Sequence, residues 1–347
     1  MNGAWLGEWD PPPEVFATVM ATGIVSVAAD DHGYWRLGIA LGMLAVVTFA
    51  ILGLRSLVWV IRRPAHVVAV TRDLDVALRM FTFIAACAVL AVRWGGHSAV
   101  GWLFGGLALA AWLVLVPLAV VDVGSWPGAQ LREQAHGAWL LPSVAAAGLA
   151  TTATDLAIDV RAPSLVVIAA LAWIAGMAIY LTVTWLIAWR ALATPIMAEE
   201  VTPDSWILMG ALAITALAGD HILAAARALS APAGLAGWAR PVTLGAWVLA
   251  SLWIPALLYA QVWRVDQVVG SLRYQGAWWT AVFPLGMYSA ASAATATELH
   301  MRSLGTVSLV FFWDAFTVWT LLVIGGLHSA VAHKRHLPRR APRRRGR

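Results

Sequence analysis

Apolar positions along this chain gather into long stretches rather than alternating with polar ones. The stretches occupy about 14–30, 35–61, 76–93, 98–121, 138–153, 163–189, 204–219, 239–263, 277–297 and 304–331. Each is close to the roughly 17–25 residues that cross a hydrocarbon core as a helix. The pattern therefore predicts an all-α polytopic membrane protein with ten transmembrane helices. The odd-numbered stretches start near 14, 76, 138, 204 and 277. That nearly constant interval predicts one helical hairpin repeated five times. An even number of spans puts both termini on one side of the membrane.

Odd and even stretches differ in character. The even ones are long and rich in Leu, Val, Ile and Trp, which suits lipid and packing. The odd ones are shorter and place Thr18, Thr22, Ser26, Thr82, Pro142, Ser143, Thr215, Pro284 and Ser289 at membrane depth. Small residues let helices approach closely, and hydroxyls offer weak neutral hydrogen bonds. A mid-helix Pro frees a carbonyl, which is tolerated beside protein or water rather than lipid. Inner odd helices set around an axis with quasi-five-fold symmetry would line a central pore with these nine residues. The competing reading is close helix packing without a passage.

Composition strengthens the membrane assignment. Apolar residues make up 61% of the 347, Asp, Glu, Lys and Arg only 12%, and the mean hydropathy is +0.77. A soluble domain carries about 45–50% apolar and roughly 25% charged residues. The 21 Trp suit membrane interfaces. The single cysteine, Cys87, allows no internal disulfide or thiolate metal cluster.

Charge sets the orientation. Net charge is +5, but it comes from the tail: Lys334 to Arg347 holds eight basic residues and no acid. Loops after the even spans carry Arg62, Arg63, Arg72, Arg132, Arg190, Arg264 and Arg273, against Arg36, Arg93, Arg161, Arg227, Arg240 and Arg302 opposite. The bias places both termini in the cytoplasm of a multi-pass protein of the cell membrane. The expected organisation is a cytoplasmic segment 1–13, a transmembrane body 14–331 and a basic cytoplasmic tail 332–347. The tail reads as an anchor against anionic lipid, not as a nucleic-acid site.

The interiors of the odd spans lack carboxylates, which disfavours a cation pore. Arg79 and Arg93 at their ends would attract small inorganic or organic anions. Asp314 lies well inside an even span. It is either a proton site or, the favoured reading, a hydrogen-bonding group toward a neighbouring helix or subunit. Phe283 precedes Pro284, which disfavours helical geometry at the residue before it. A ring thrown into a bore would block ions by dewetting; ordinary packing is the competing role. The histidines are scattered, and His136 and His300 read as solvated or capping groups. No metal, cofactor or enzymatic signature appears.

These residues resemble the tellurite-resistance/dicarboxylate transporter family, which includes slow anion channels of guard cells, the bacterial tellurite-resistance protein A and fungal malic-acid permeases. The resemblance rests on Phe16-Ala-Thr-Val-Met-Ala-Thr-Gly-Ile-Val-Ser in the first span, Trp253-Ile-Pro in the eighth and Trp278-Trp-Thr-Ala-Val-Phe-Pro-Leu-Gly in the ninth. With the repeat, it covers about residues 11–330. It implies a pore of five inner helices inside five outer ones, a homotrimer with one pore per protomer, and Phe283 as gate. The family's inner-helix kinks match Pro142 and Pro284; elsewhere Gly23 and Gly210 would supply the bend. The implied function is anion transport through a Phe-gated pore. The alternative is a proton-linked secondary carrier for malate or another C4-dicarboxylate, which a titrating Asp314 would favour.

Overall fold

The computed structural model describes residues 11–65, 71–95, 98–230 and 233–336. Most of the expected N-terminal segment, Gly96 of the second hairpin turn and the basic tail from 337 onward lie outside the described residues. The described chain is all helical. In order come α1 (Ala17–Asp31), α2 (Trp35–Arg62), α3 (Leu74–Arg79), α4 (Thr82–Trp94), α5 (Ala99–Ser125) and α6 (Gly128–Gln134). Then follow α7 (Leu141–Asp159), α8 (Pro163–Ala193), α9 (Ile207–Ala228), α10 (Ala233–Gln267), α11 (Trp279–Leu299) and α12 (Arg302–His336).

Among the described residues, eight helical segments are long and apolar enough to cross a membrane. The sequence predicts ten, and the two outside that count are α1, with 15 residues, and α11, which carries Ser, Thr, Tyr and Pro throughout. For α11 the physical reason is enclosure. In α11 every residue from Trp279 to Ser292 is buried, and α1 is buried almost as fully. A helix walled in by other helices needs no lipid-compatible surface, so α11 can carry polar residues; α1 falls outside the count by its length.

Burial divides the long helices into two kinds. The segments Leu74–Trp94, Gly137–Asp159 and Pro203–Ala228 are 67%, 67% and 83% buried. The spans on α2, α5, α8, α10 and α12 are only 22–39% buried. Contacts follow the same division. The buried helices α1, α4, α7, α9 and α11 each touch two others of their kind, in a closed ring α1–α4–α7–α9–α11–α1. Each exposed helix packs on the buried helix before it in the chain and on the next buried one along the ring. The ring closes where α12 meets α1: Trp319 Nε1 donates to Thr22 Oγ1 at 2.9 Å.

Connections are short at one end and long at the other. Residues 32–34, 160–162 and 300–301 join a buried helix to the exposed helix that follows. Several such turns use a left-handed residue: Gly33 (φ 78°), Arg161 (φ 52°), Ser230 (φ 52°) and His300 (φ 56°). Gly33 adopts it without steric cost; the other three do not. Local signals start the helices: Ser98 Oγ accepts from Gly101 N at 3.0 Å to cap α5, and Pro163 opens α8, where its missing N–H is harmless.

Prolines and glycines depart from the expected pattern. Pro142 sits in the first turn of α7, where it introduces no kink. Of the ring helices only α11 holds an interior proline, Pro284; Pro117, Pro241 and Pro255 lie inside exposed helices. Gly210 and Gly23 serve close approach. A Cβ on Gly210 would meet Pro284 at 2.9 Å, and one on Gly23 would meet Val89 at 2.8 Å.

Candidate functional site

The five buried helices run in the same direction, so their N-termini share one mouth of the ring and their C-termini the other. Polar chemistry concentrates at these two mouths.

At the N-terminal mouth, His136 lies between two carboxylates. Its Nδ1–H donates to Asp204 Oδ2 at 2.6 Å and its Nε2–H to Asp75 Oδ1 at 2.7 Å. Asp204 also accepts from Ala138 N at 2.9 Å and from the Thr202 hydroxyl. Asp75 accepts from Trp139 Nε1 at 3.1 Å and Arg79 Nε at 2.8 Å. Burial opposes charge on the imidazole, but bonds to Asp204 and Asp75 outweigh it and hold its pKa up at about 9. The cluster ties the starts of three consecutive hairpins, because Asp75 opens α3, His136 precedes α7 and Asp204 precedes α9. Gly137 lies so close to the Asp204 carbonyl that no Cβ fits there. Arg79, expected to attract anions, is committed to Asp75 and lies 3.9 Å from Glu14.

At the C-terminal mouth a cavity of about 390 Å³ opens between α1, α4, α9 and α11. Asp30, Asp31, Arg93, His221 and Thr297 supply its polar lining; Ala290 and Ala294 are among its apolar residues. Arg93, the second expected anion attractor, is therefore in this wall. Its Nε donates to Ser26 Oγ at 2.7 Å and its Nη1 lies 3.4 Å from Asp30. His221 pairs with Asp155 of α7 at 3.1 Å. The mouth thus mixes donors with carboxylates.

Between the mouths the buried residues of the ring helices are mainly apolar. Phe283 is fully buried. The faces of α11 are assigned by its contacts. Pro284 packs on Gly210 of α9, and Gly286 packs on Ile24 of α1. Tyr288 and Ser292 bond to α10, and Ser289 to Ser308 of α12. The remaining face carries Ala290 and Ala294 into the cavity. At about 100° per residue, Phe283 shares their direction to within roughly 20°, and about 10 Å of helix separates it from Ala290.

The other residues expected along a bore mostly turn elsewhere. Ser26 Oγ donates to Gly38 O of α2 at 2.6 Å. Thr22 accepts from Trp319 of α12. Ser289 exchanges hydrogen bonds with Ser308 of α12 at 2.7 Å. Thr215 Oγ1 bonds Ala211 O in its own helix, while its carbonyl accepts from Trp173 of α8 at 2.8 Å. Thr82 bonds Arg79 O. Thr18 is half-buried and its carbonyl accepts from Thr22. Ser143 is fully buried without a hydrogen-bond partner among the described residues, and its carbonyl faces Gly176 of α8. Asp314 is exposed on α12, away from the ring. Sequence reasoning missed the His136 cluster. The available signal was an Asp at the start of each of two hairpins, with a His at the start of a third.

Residues 11–327 match the family described as voltage-dependent anion channel. Uncharacterized membrane proteins from two strains of Mycobacterium tuberculosis are similar as well. Each is 34% identical over 158 residues, which is 45% of this chain and 79% of the relative.

Proposed function

The chain belongs to the voltage-dependent anion channel family, the tellurite-resistance/dicarboxylate transporter family of the resemblance, and on that premise we propose that it passes small anions along the axis of its buried ring, with Phe283 as the gate. The observation that carries this reading is the direction of Phe283, which shares the helix face of Ala290 and Ala294 below the cavity. Five aligned helices also turn their N-termini, the positive ends of their dipoles, toward one mouth, which favours an anion there. In this reading all ten long helices span the membrane as five hairpins, within a body 14–331 that assembles as a homotrimer. Both termini are cytoplasmic, and the basic tail meets anionic lipid.

Reconstituted flux tests the gate. Phe283→Ala removes the ring, so chloride and nitrate efflux from liposomes should rise markedly as the dewetting barrier falls. Phe283→Leu should stay largely closed. Reversal potentials in asymmetric salt should follow the anion. If Phe283 is packing alone, Phe283→Ala instead loses about 3–5 kcal/mol of stability and gains no flux.

One observation favours a second reading. Asp30, Asp31 and His221 place titratable groups in the wall of the cavity, as a proton-linked carrier for malate or a similar dicarboxylate would need. Uphill malate uptake driven by a pH gradient would select it over passive conduction.

A further inference from the structure

We propose that Arg264 and Gln261 form a binding site, at the membrane boundary, for a phosphate that carries a free hydroxyl group. Arg264 stands in the last turn of α10, whose apolar span is Gly234–Gln267. It is only 7% exposed. Among the described residues its Nε and Nη1 have no hydrogen-bond partner. A guanidinium cannot shed its charge, and an unpaired buried charge is strongly unfavourable. A cation suits the carbonyl end of a helix, yet these N–H groups reach no carbonyl.

Of the three acids on the turns packed against α10, Glu199 is exposed and makes no ion pair with Arg264 among the described residues, and the other two are engaged elsewhere. Glu200 pairs with Arg190 at 2.7 Å, and Asp204 is held by His136 and Thr202. The charge on Arg264 therefore calls for an anion from outside the described chain.

Gln261 lies one turn earlier on the same flank and is 9% exposed. Its Nε2 donates to Thr202 O and Ser205 Oγ, each at 3.4 Å. Those acceptors fix the amide orientation and leave Oε1 without a donor among the described residues. Orphan donors thus stand beside an orphan acceptor. A halide or an ionised carboxylate satisfies the guanidinium and leaves Oε1 unpaired. A hydrogen phosphate, or a phosphodiester headgroup ending in a hydroxyl, satisfies both. The two sources share one chemistry, and the end of a membrane span is the depth at which lipid phosphates lie.

The test uses the full chain, purified in detergent and stripped of lipid. Thermal unfolding is followed with phosphatidylglycerol, phosphatidylcholine, inorganic phosphate or chloride added at matched ionic strength. Wild type should melt several degrees higher with phosphatidylglycerol or with inorganic phosphate, and the responding arm identifies the source. Phosphatidylcholine and chloride should leave it unchanged. Arg264→Met should abolish the shift without lowering the ligand-free melting temperature, because removing an unpaired buried charge is neutral or favourable. Gln261→Leu should reduce the shift. Absence of any shift in wild type, or a shift retained in Arg264→Met, overturns the proposal. So does an Arg264→Met protein that unfolds or fails to fold without ligand, since that outcome assigns Arg264 to packing within the chain. None of these readouts depends on anion flux.

Discussion

Replacing His136 should reveal a stability contribution that falls as pH rises through a defined window. The imidazole pKa stands at about 9 against an ordinary 6.5. The side chain is 24% exposed, so solvent screens its bonds to Asp75 and Asp204 only partly. A group whose pKa is raised on folding stabilises the fold fully below the unfolded value. Its contribution here is complete below about pH 6.5 and is lost as pH climbs through about 9. The difference between the two values corresponds to about 3 kcal/mol. His136→Asn retains polar contacts but cannot take the charge. The assay is unfolding in detergent, followed by tryptophan fluorescence, at pH 6, 7.5, 9 and 10 for both proteins. Wild type should exceed the mutant by a margin that shrinks steadily across this range and is nearly gone at pH 10. The comparison cancels titrating groups remote from His136, which both proteins share; Asp75 and Asp204, whose carboxylates His136 holds ionised, do not cancel. A margin that is constant with pH, or that grows with it, refutes the reasoning.

Three further outcomes are expected. Gly210→Ala puts a methyl about 3 Å from Pro284 and should cost about 1–3 kcal/mol of stability; adding Pro284→Ala should recover part of it, measured by the same unfolding assay. Ser230→Gly relieves a left-handed residue at φ 52° and should raise stability by about 0.5–1 kcal/mol after the entropic cost of glycine, with a lower melting temperature counting against it. Asp314→Asn should fold and leave the pH dependence of reconstituted flux unchanged, because Asp314 stands on the exposed side of α12; lost pH dependence with normal expression would make it the proton site.

Much of the architecture is legible in the sequence because hydropathy and spacing are long-range patterns that survive ignorance of packing. The expected start of the sixth stretch at 163 is the start of α8 at Pro163. The eighth stretch was expected at 239–263, yet α10 runs from Ala233 to Gln267. Prolines and arginines break its hydropathy without breaking its helix. The direction of the hydroxyls was not legible. Helices buried on every side have no polar face, so no periodicity tells Ser26 or Ser289 whether to point to the axis or to the rim. Tryptophan misled in a similar way. Trp173, Trp247 and Trp319 do not simply mark an interface; each turns its N–H inward to a ring helix. The His136 cluster was hidden by distance, since its carboxylates lie 61 and 68 residues away along the chain.

The seam between first and last hairpins bears on how the molecule is made. Its hydrogen bonds join Thr22 to Trp319 and His32 to Ser308, partners 297 and 276 residues apart. Every other seam joins hairpins that are neighbours in the chain and can form as the ribosome delivers them. Until α11 and α12 emerge, the nascent protein is an arc with two raw edges, its small-residue faces open to lipid and to other chains. Loss of the last hairpin through premature termination would therefore leave a broken circle rather than a smaller one. The emergence of α11 and α12 decides whether the earlier helices acquire an inside.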